Sequence, residues 1–127
     1  MNCLLELISL RRQYAVNGEV CDILALDKNG GLVVLELKNT EDRYIVQQLT
    51  RYYDNLISTK PWPQQINYEV PIRLIAIAPC SHKHNWIDKK YHKLNFEFLS
   101  FTIHQEDNWA YLILQRNTKI ISRLKIL

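Results

Sequence analysis

Leu32-Val33-Val34-Leu35-Glu36-Leu37-Lys38 is the stretch whose reading decides the fold. Side chains along a strand alternate between faces, so Leu32 and Val34 make one face apolar while Val33, Leu35 and Leu37 make the other apolar too. Such a strand belongs in the middle of a sheet, covered on both sides. Glu36 and Lys38 fall on one face. A buried carboxylate without a partner costs several kcal/mol, and Glu36 is therefore expected to hold a cation, a metal or a proton.

Working outward, Val20-Cys21-Asp22-Ile23-Leu24-Ala25-Leu26 is a second apolar run with one acid near its start. Asp27-Lys28-Asn29-Gly30-Gly31 separates the two runs and reads as a hairpin turn. Loop length sets which residues face each other, because a one-residue slip reverses every side chain. A two-residue Asn29-Gly30 turn would put Asp22 opposite Leu37. A three-residue loop, Lys28-Asn29-Gly30 with Gly30 left-handed, pairs residues whose numbers sum to 58 and sets Asp22 across from Glu36. We adopt the three-residue loop, which brings both carboxylates onto one face with Cβ atoms roughly 5 Å apart and Lys38 beside them. Their mutual repulsion is relieved by a shared divalent cation.

Beyond Lys38 the apolar period lengthens from two to about 3.6 across Asp42 to Ile57, with Ile45, Leu49, Tyr52, Tyr53 and Leu56 on one stripe of a helix. Thr40 suits its N-cap, Glu41 and Asp42 suit the positive end of its dipole, and Lys60-Pro61-Trp62-Pro63 ends it. Gln48 and Tyr52 stand one turn apart on a single face.

These residues resemble the PD-(D/E)XK nuclease core, and within it the NucS-like (EndoMS) endonuclease catalytic domain. That family has a Gly-x-x-Asp strand, a hairpin, a Val-Val-Glu-Leu-Lys strand and a helix with Gln-Leu-x-Arg-Tyr. Here the counterparts are Asp22, Glu36-Leu37-Lys38 and Gln48-Leu49-Thr50-Arg51-Tyr52, and the likeness extends over about residues 4 to 80. There are departures. Cys21 precedes Asp22 where the superfamily's name has proline, Gly18 lies four residues before Asp22, and Glu19-Val20-Cys21 stands where the family has an Arg. By the resemblance, the chain is expected to correspond to the nuclease domain standing alone, without the separate N-terminal domain of such enzymes.

The resemblance implies an α/β, restriction-endonuclease-like core with a central mixed β-sheet flanked by helices and an added C-terminal β-hairpin, as one domain over residues 1–127. It implies a metal-dependent endonuclease that hydrolyses DNA phosphodiester bonds. Asp22, Glu36 and the Leu37 backbone carbonyl would hold Mg²⁺, with Mn²⁺ as a substitute. Lys38 would position the attacking water or stabilise the pentacovalent phosphate, Gln48 would orient the site, and Tyr52 would support it. Glu6, the one acid on a short helix expected over residues 2 to 9, is a supporting candidate because a first-helix Glu approaches the metal in the resembling family. Two plainer readings stand beside this one: a nuclease-like domain that binds nucleic acid or a protein without cutting, and an ordinary α/β protein in which the acids pair with Lys38.

The 127 residues, 47% of them apolar, suffice for one domain with its own core. A formal net charge of +3 permits a polyanionic partner without demanding one. The apolar runs are short of a membrane span and the start lacks the pattern of a signal peptide, so a cytoplasmic protein with no membrane partner is expected. Cys3, Cys21 and Cys80 are too widely spaced for a disulfide framework. Cys80, His82 and His84 match no standard zinc spacing.

Ile8 to Val16 reads as a strand carrying Arg11 and Arg12. Val70 to Ala78 reads as a strand parallel to that of Glu36, reached through the helix by a right-handed crossover. Ser81 to Lys93 is loop plus helix, and Phe96 to His104 with Trp109 to Gln115 is a hairpin. Arg116 to Leu127 mixes Lys and Arg with Ile and Leu, which suits either a homodimer contact or a cover for the sheet edge.

Overall fold

The turn at Asp27 sets the register of the whole sheet. The computed structural model describes residues 7–81, 83–117 and 119–125. In it, β2 (Glu19–Leu26) and β3 (Leu32–Leu37) pair antiparallel, Ile23 with Leu35, Leu24 with Val34, Ala25 with Val33 and Leu26 with Leu32. This is the register that sums to 58. Gly30 adopts φ +77°, a conformation that costs a glycine little, and its N–H donates to the Asp27 carbonyl at 3.1 Å. The Asp27 carboxylate accepts from the N–H groups of Asn29 and Gly31 at 2.8 and 2.9 Å. A Cβ on Gly31 would meet Val70 Cγ1 at 2.7 Å, so only glycine lets the turn lie this close to the segment before β4.

Among the described residues seven strands form one sheet in chain order. β1 (Ile8–Val16) runs antiparallel to β2. α1 (Ile45–Thr59) carries the chain to β4 (Arg73–Ala78), which lies parallel to β3 with Glu36 opposite Ala76. α2 (Lys83–Tyr91) leads to β5 (Phe96–Glu106), parallel to β4. β6 (Trp109–Arg116) and β7 (Lys119–Lys125) then add antiparallel strands. The parallel steps need crossovers, and the two helices are those crossovers.

Leu32, Val33 and Val34 are completely buried, as a run apolar on both faces requires. Leu32 and Val34 pack with Leu49, Tyr52 and Leu56 of α1 and with Phe96 and Phe98. Val33 belongs to a second cluster with Ile75, Ile77, Leu99, Leu114 and Ile121.

The mixed sheet is flanked by helices, and among the described residues both lie on one face: Trp86 of α2 stands edge-on to Phe98 at 4.9 Å, on the face that α1 also covers. The other face builds its apolar cluster from strand residues. Three expectations need correction. The C-terminal hairpin is a three-stranded meander, because β7 extends it and forms the sheet's last strand. Its alternation was obscured by adjacent Ile120 and Ile121, of which only Ile121 is buried. α1 begins at Ile45, with Tyr44 in the cap position and no side-chain cap bond, so Thr40 is not its N-cap. The Lys38 N–H is still bonded to the Ile77 carbonyl at 2.9 Å, and residues 39–44 are needed to climb from the sheet to the helix layer. Finally, Ile8 and Ser9 belong to β1 and not to a helix, since they pair with Leu26 and Ala25. Glu6 lies outside the described residues.

Candidate functional site

The β2 and β3 ladder ends at Ile23 and Leu35, and just beyond it the two acids take over the backbone bonds. The Asp22 N–H donates to Glu36 Oε1 at 3.0 Å, and the Leu37 N–H donates to Asp22 Oδ2 at 2.8 Å. Each carboxyl therefore reaches across to the other strand. Asp22 has the parity of Leu24, and Glu36 that of Leu32 and Val34, so both acids lie on the helix-covered face. The Leu37 carbonyl shares the edge of β3 from which its N–H meets Asp22, because both groups of one strand residue point the same way.

Glu36 is only 2% exposed, whereas Asp22 is half-buried. Tyr52, from α1, places its hydroxyl 3.1 Å from Glu36 Oε2 and against the Val20 carbonyl. Gln48 Nε2 donates to the same hydroxyl at 2.8 Å. The one-turn spacing of Gln48 and Tyr52 thus becomes a relay from helix to acid. Burial pushes the Glu36 carboxyl up to about 7; the Asp22 N–H pulls it back, and the Asp22 charge adds to the rise. The hydrogen bonds agree with a protonated Glu36. The Tyr52 hydroxyl has one proton, and if that goes to Val20, its lone pairs can accept from Gln48 and from a Glu36 O–H. Cys21, buried beside the acids, has its thiol pushed up to about 12 by burial and by the Glu36 charge.

Lys38 is near the acids in sequence but is paired elsewhere. Its Nζ lies 3.4 Å from Asp42 Oδ2, and among the described residues no ion pair joins it to Asp22 or Glu36. The plain reading in which Lys38 neutralises both acids is not what the structure contains. Asp42, expected only to favour the helix dipole, also accepts the Tyr44 N–H at 2.8 Å. Its carbonyl accepts from Nδ2 of Asn85, a residue of α2 that is 1% exposed. Sequence reasoning missed both roles. A polar Asn amid Trp86 and Ile87 is a weak hint of burial, and nothing in the sequence names its partner. Beyond the site Arg43 lies over the exposed Tyr44 ring, 5.3 Å from its centroid.

The other candidates do not join this group. Arg11 and Arg12 are exposed on β1, Cys80 donates to Glu41 Oε2 at 3.4 Å, and His82 lies outside the described residues. Among the described residues no group of three or more His, Cys, Asp or Glu side chains is placed to hold a metal. The donor set at the strand split is two carboxyls and a backbone carbonyl. All are oxygens, which fits a hard cation that keeps several waters and not a zinc-type site.

Residues 6–66 match the family profile of the Endonuclease NucS C-terminal domain, a stretch containing Asp22, Glu36, Lys38, Gln48 and Tyr52. Endonuclease NucS of Pyrococcus horikoshii is 38% identical over 69 residues, which cover 54% of this chain and 24% of that protein. Endonuclease NucS of Pyrococcus abyssi is 35% identical over 69 residues with the same shares. A solved EndoMS–dsDNA complex superposes with a TM-score of 0.57 at 25% identity, covering 77% of this chain and 38% of that one. The chain is NucS-like over this stretch and spans about a quarter of the length of the curated relatives it matches. No described helix is long and apolar enough to cross a membrane.

Proposed function

We propose that this chain is a single PD-(D/E)XK nuclease-like domain that hydrolyses DNA phosphodiester bonds with a divalent metal ion, Mg²⁺ or Mn²⁺. The observation that carries the reading is the crossed pair of acids, in which Asp22 and Glu36 each bond the other strand's backbone where β2 and β3 part. The DNA substrate is supported by the names of the relatives and by the duplex in the EndoMS complex.

Asp22, Glu36 and the Leu37 carbonyl would hold the ion. When bound, such an ion supplies Lewis-acid chemistry, lowering the pKa of water and neutralising phosphoryl charge. The chain's own residues do the rest. Gln48 and Tyr52 fix the Glu36 carboxyl from the helix side, so its orientation is set before any ligand arrives. Glu36 must give up its proton to become a ligand, which ties metal uptake to pH near neutrality. Lys38 contributes a compact positive charge two residues along the same face, where a phosphate's growing negative charge needs a donor.

The test is a panel of labelled duplex, mismatched, flap and single-stranded DNA incubated with Mg²⁺ and Mn²⁺, beside Glu36→Gln and Lys38→Ala. Cleavage that needs the metal and disappears in both variants supports the assignment. Normal cutting by Glu36→Gln sinks it, and metal-independent binding without cutting would favour the non-catalytic alternative.

A further inference from the structure

Residues 38 to 42 are not helical, so the contact between Lys38 and Asp42 is not the ordinary pairing of neighbours on a helix. It spans a bent loop, and its acidic member is anchored at two other points. Asp42 Oδ1 is tied to the Tyr44 N–H, at the start of α1, and the Asp42 carbonyl is tied to buried Asn85 of α2. The remaining oxygen, Oδ2, faces Lys38 at 3.4 Å, with both side chains a little over a quarter exposed. A pair between two free side chains would contribute little, because both must be ordered to form it. Here the acceptor is already ordered, so only the lysine loses freedom.

We propose that Asp42 is the positioning residue for Lys38. It holds the ammonium in an ion pair of its own, so that Lys38 does not neutralise Asp22 or Glu36. Through Tyr44 and Asn85 it makes the lysine's place depend on both helices. The inference rests on the nuclease reading for its catalytic consequence, but the hold itself can be measured without any cleavage.

Asp42→Asn keeps an acceptor for Tyr44 and the carbonyl for Asn85 while removing the charge that faces Lys38. Asp42→Ser is the second variant, since its hydroxyl also accepts from the Tyr44 N–H. Two readouts are taken on the full chain: steady-state DNA cleavage with Mg²⁺, and the rate of Lys38 acetylation by acetic anhydride, mapped by mass spectrometry against exposed Lys60. Both variants should lower kcat about tenfold with KM for DNA unchanged. Lys38 acetylation should quicken about threefold to fivefold, the factor a half-shielded ion pair commands. Unchanged acetylation overturns the proposal, and so does faster acetylation with wild-type kcat. If the wild type cleaves nothing, the nuclease reading falls, and acetylation alone decides whether Asp42 holds Lys38.

Discussion

Glu36 on β3 and Glu97 on β5 are both acids in the parallel part of the sheet, and their surroundings differ in kind. Glu97 meets Arg73 through two bonds of 2.9 Å and Arg116 through one of 3.0 Å, at a place about a quarter exposed. Glu36 is buried among apolar side chains, with a tyrosine hydroxyl and a backbone N–H in place of a cation. The first is a neutralised acid that joins β4, β5 and β6. The second has no cation beside it among the described residues, and burial pushes its carboxyl up to about 7. Two acids of one sheet can therefore differ in kind, one neutralised by arginines and the other left to a proton by burial, and the proposed chemistry falls on the second.

The largest expected effect concerns activity. Glu36→Gln, Asp22→Asn and Lys38→Ala should each lower DNA cleavage by on the order of a thousandfold or more, whereas Glu97→Gln should leave the rate at the wild-type level. An equal loss from Glu97→Gln, read in the same gel assay, would erase the contrast.

The pH dependence of metal-free stability comes next. The Glu36 carboxyl is raised from 4.5 to about 7 on folding, so between those values the folded chain keeps a proton that the unfolded chain releases. Stability is then greatest at the acid end of that window and declines as pH rises through it, by at most about 3 kcal/mol. Urea unfolding in EDTA across this range should show the decline in the wild type and a flatter profile in Glu36→Gln.

A comparable shift should follow from metal. At a hundred times its Kd, Mg²⁺ should stabilise the wild type by about 2.7 kcal/mol at a pH where Glu36 is ionised, raising Tm by several degrees. Asp22→Asn should show little of this, and an undiminished rise in that variant would place the ion elsewhere. Smallest is the cost of Glu97→Gln to folding, about 1 kcal/mol, because its charges are partly solvated. A larger loss by denaturant titration would mean that Glu97 is as sensitive a position as Glu36.

Much of the site could be read from local pattern. Asn29-Gly30-Gly31 and the alternation on either side mark the hairpin but allow two registers, and the requirement that both acids share a face selects the one that carries Asp22 to Glu36. Gln48 and Tyr52 follow from helical spacing. The start of α1 was less legible, because the acids at 41 and 42 imitate a first helical turn while Asp42 is occupied by Lys38 and Tyr44. β7 was hidden by adjacent isoleucines and by a register shift at Leu114 and Gln115.

By itself the sequence determined the hairpin, the order of its acids and the helix that follows, since these depend on contacts between near neighbours and on the conformational freedom of one glycine. Only the tertiary structure decided that both described helices share a face, that Lys38 turns to Asp42, and that Glu36 is buried enough for its carboxyl to be pushed up. Those outcomes depend on Asn85, Tyr52 and Phe98, which lie far along the chain from the residues they touch and meet them only through folding.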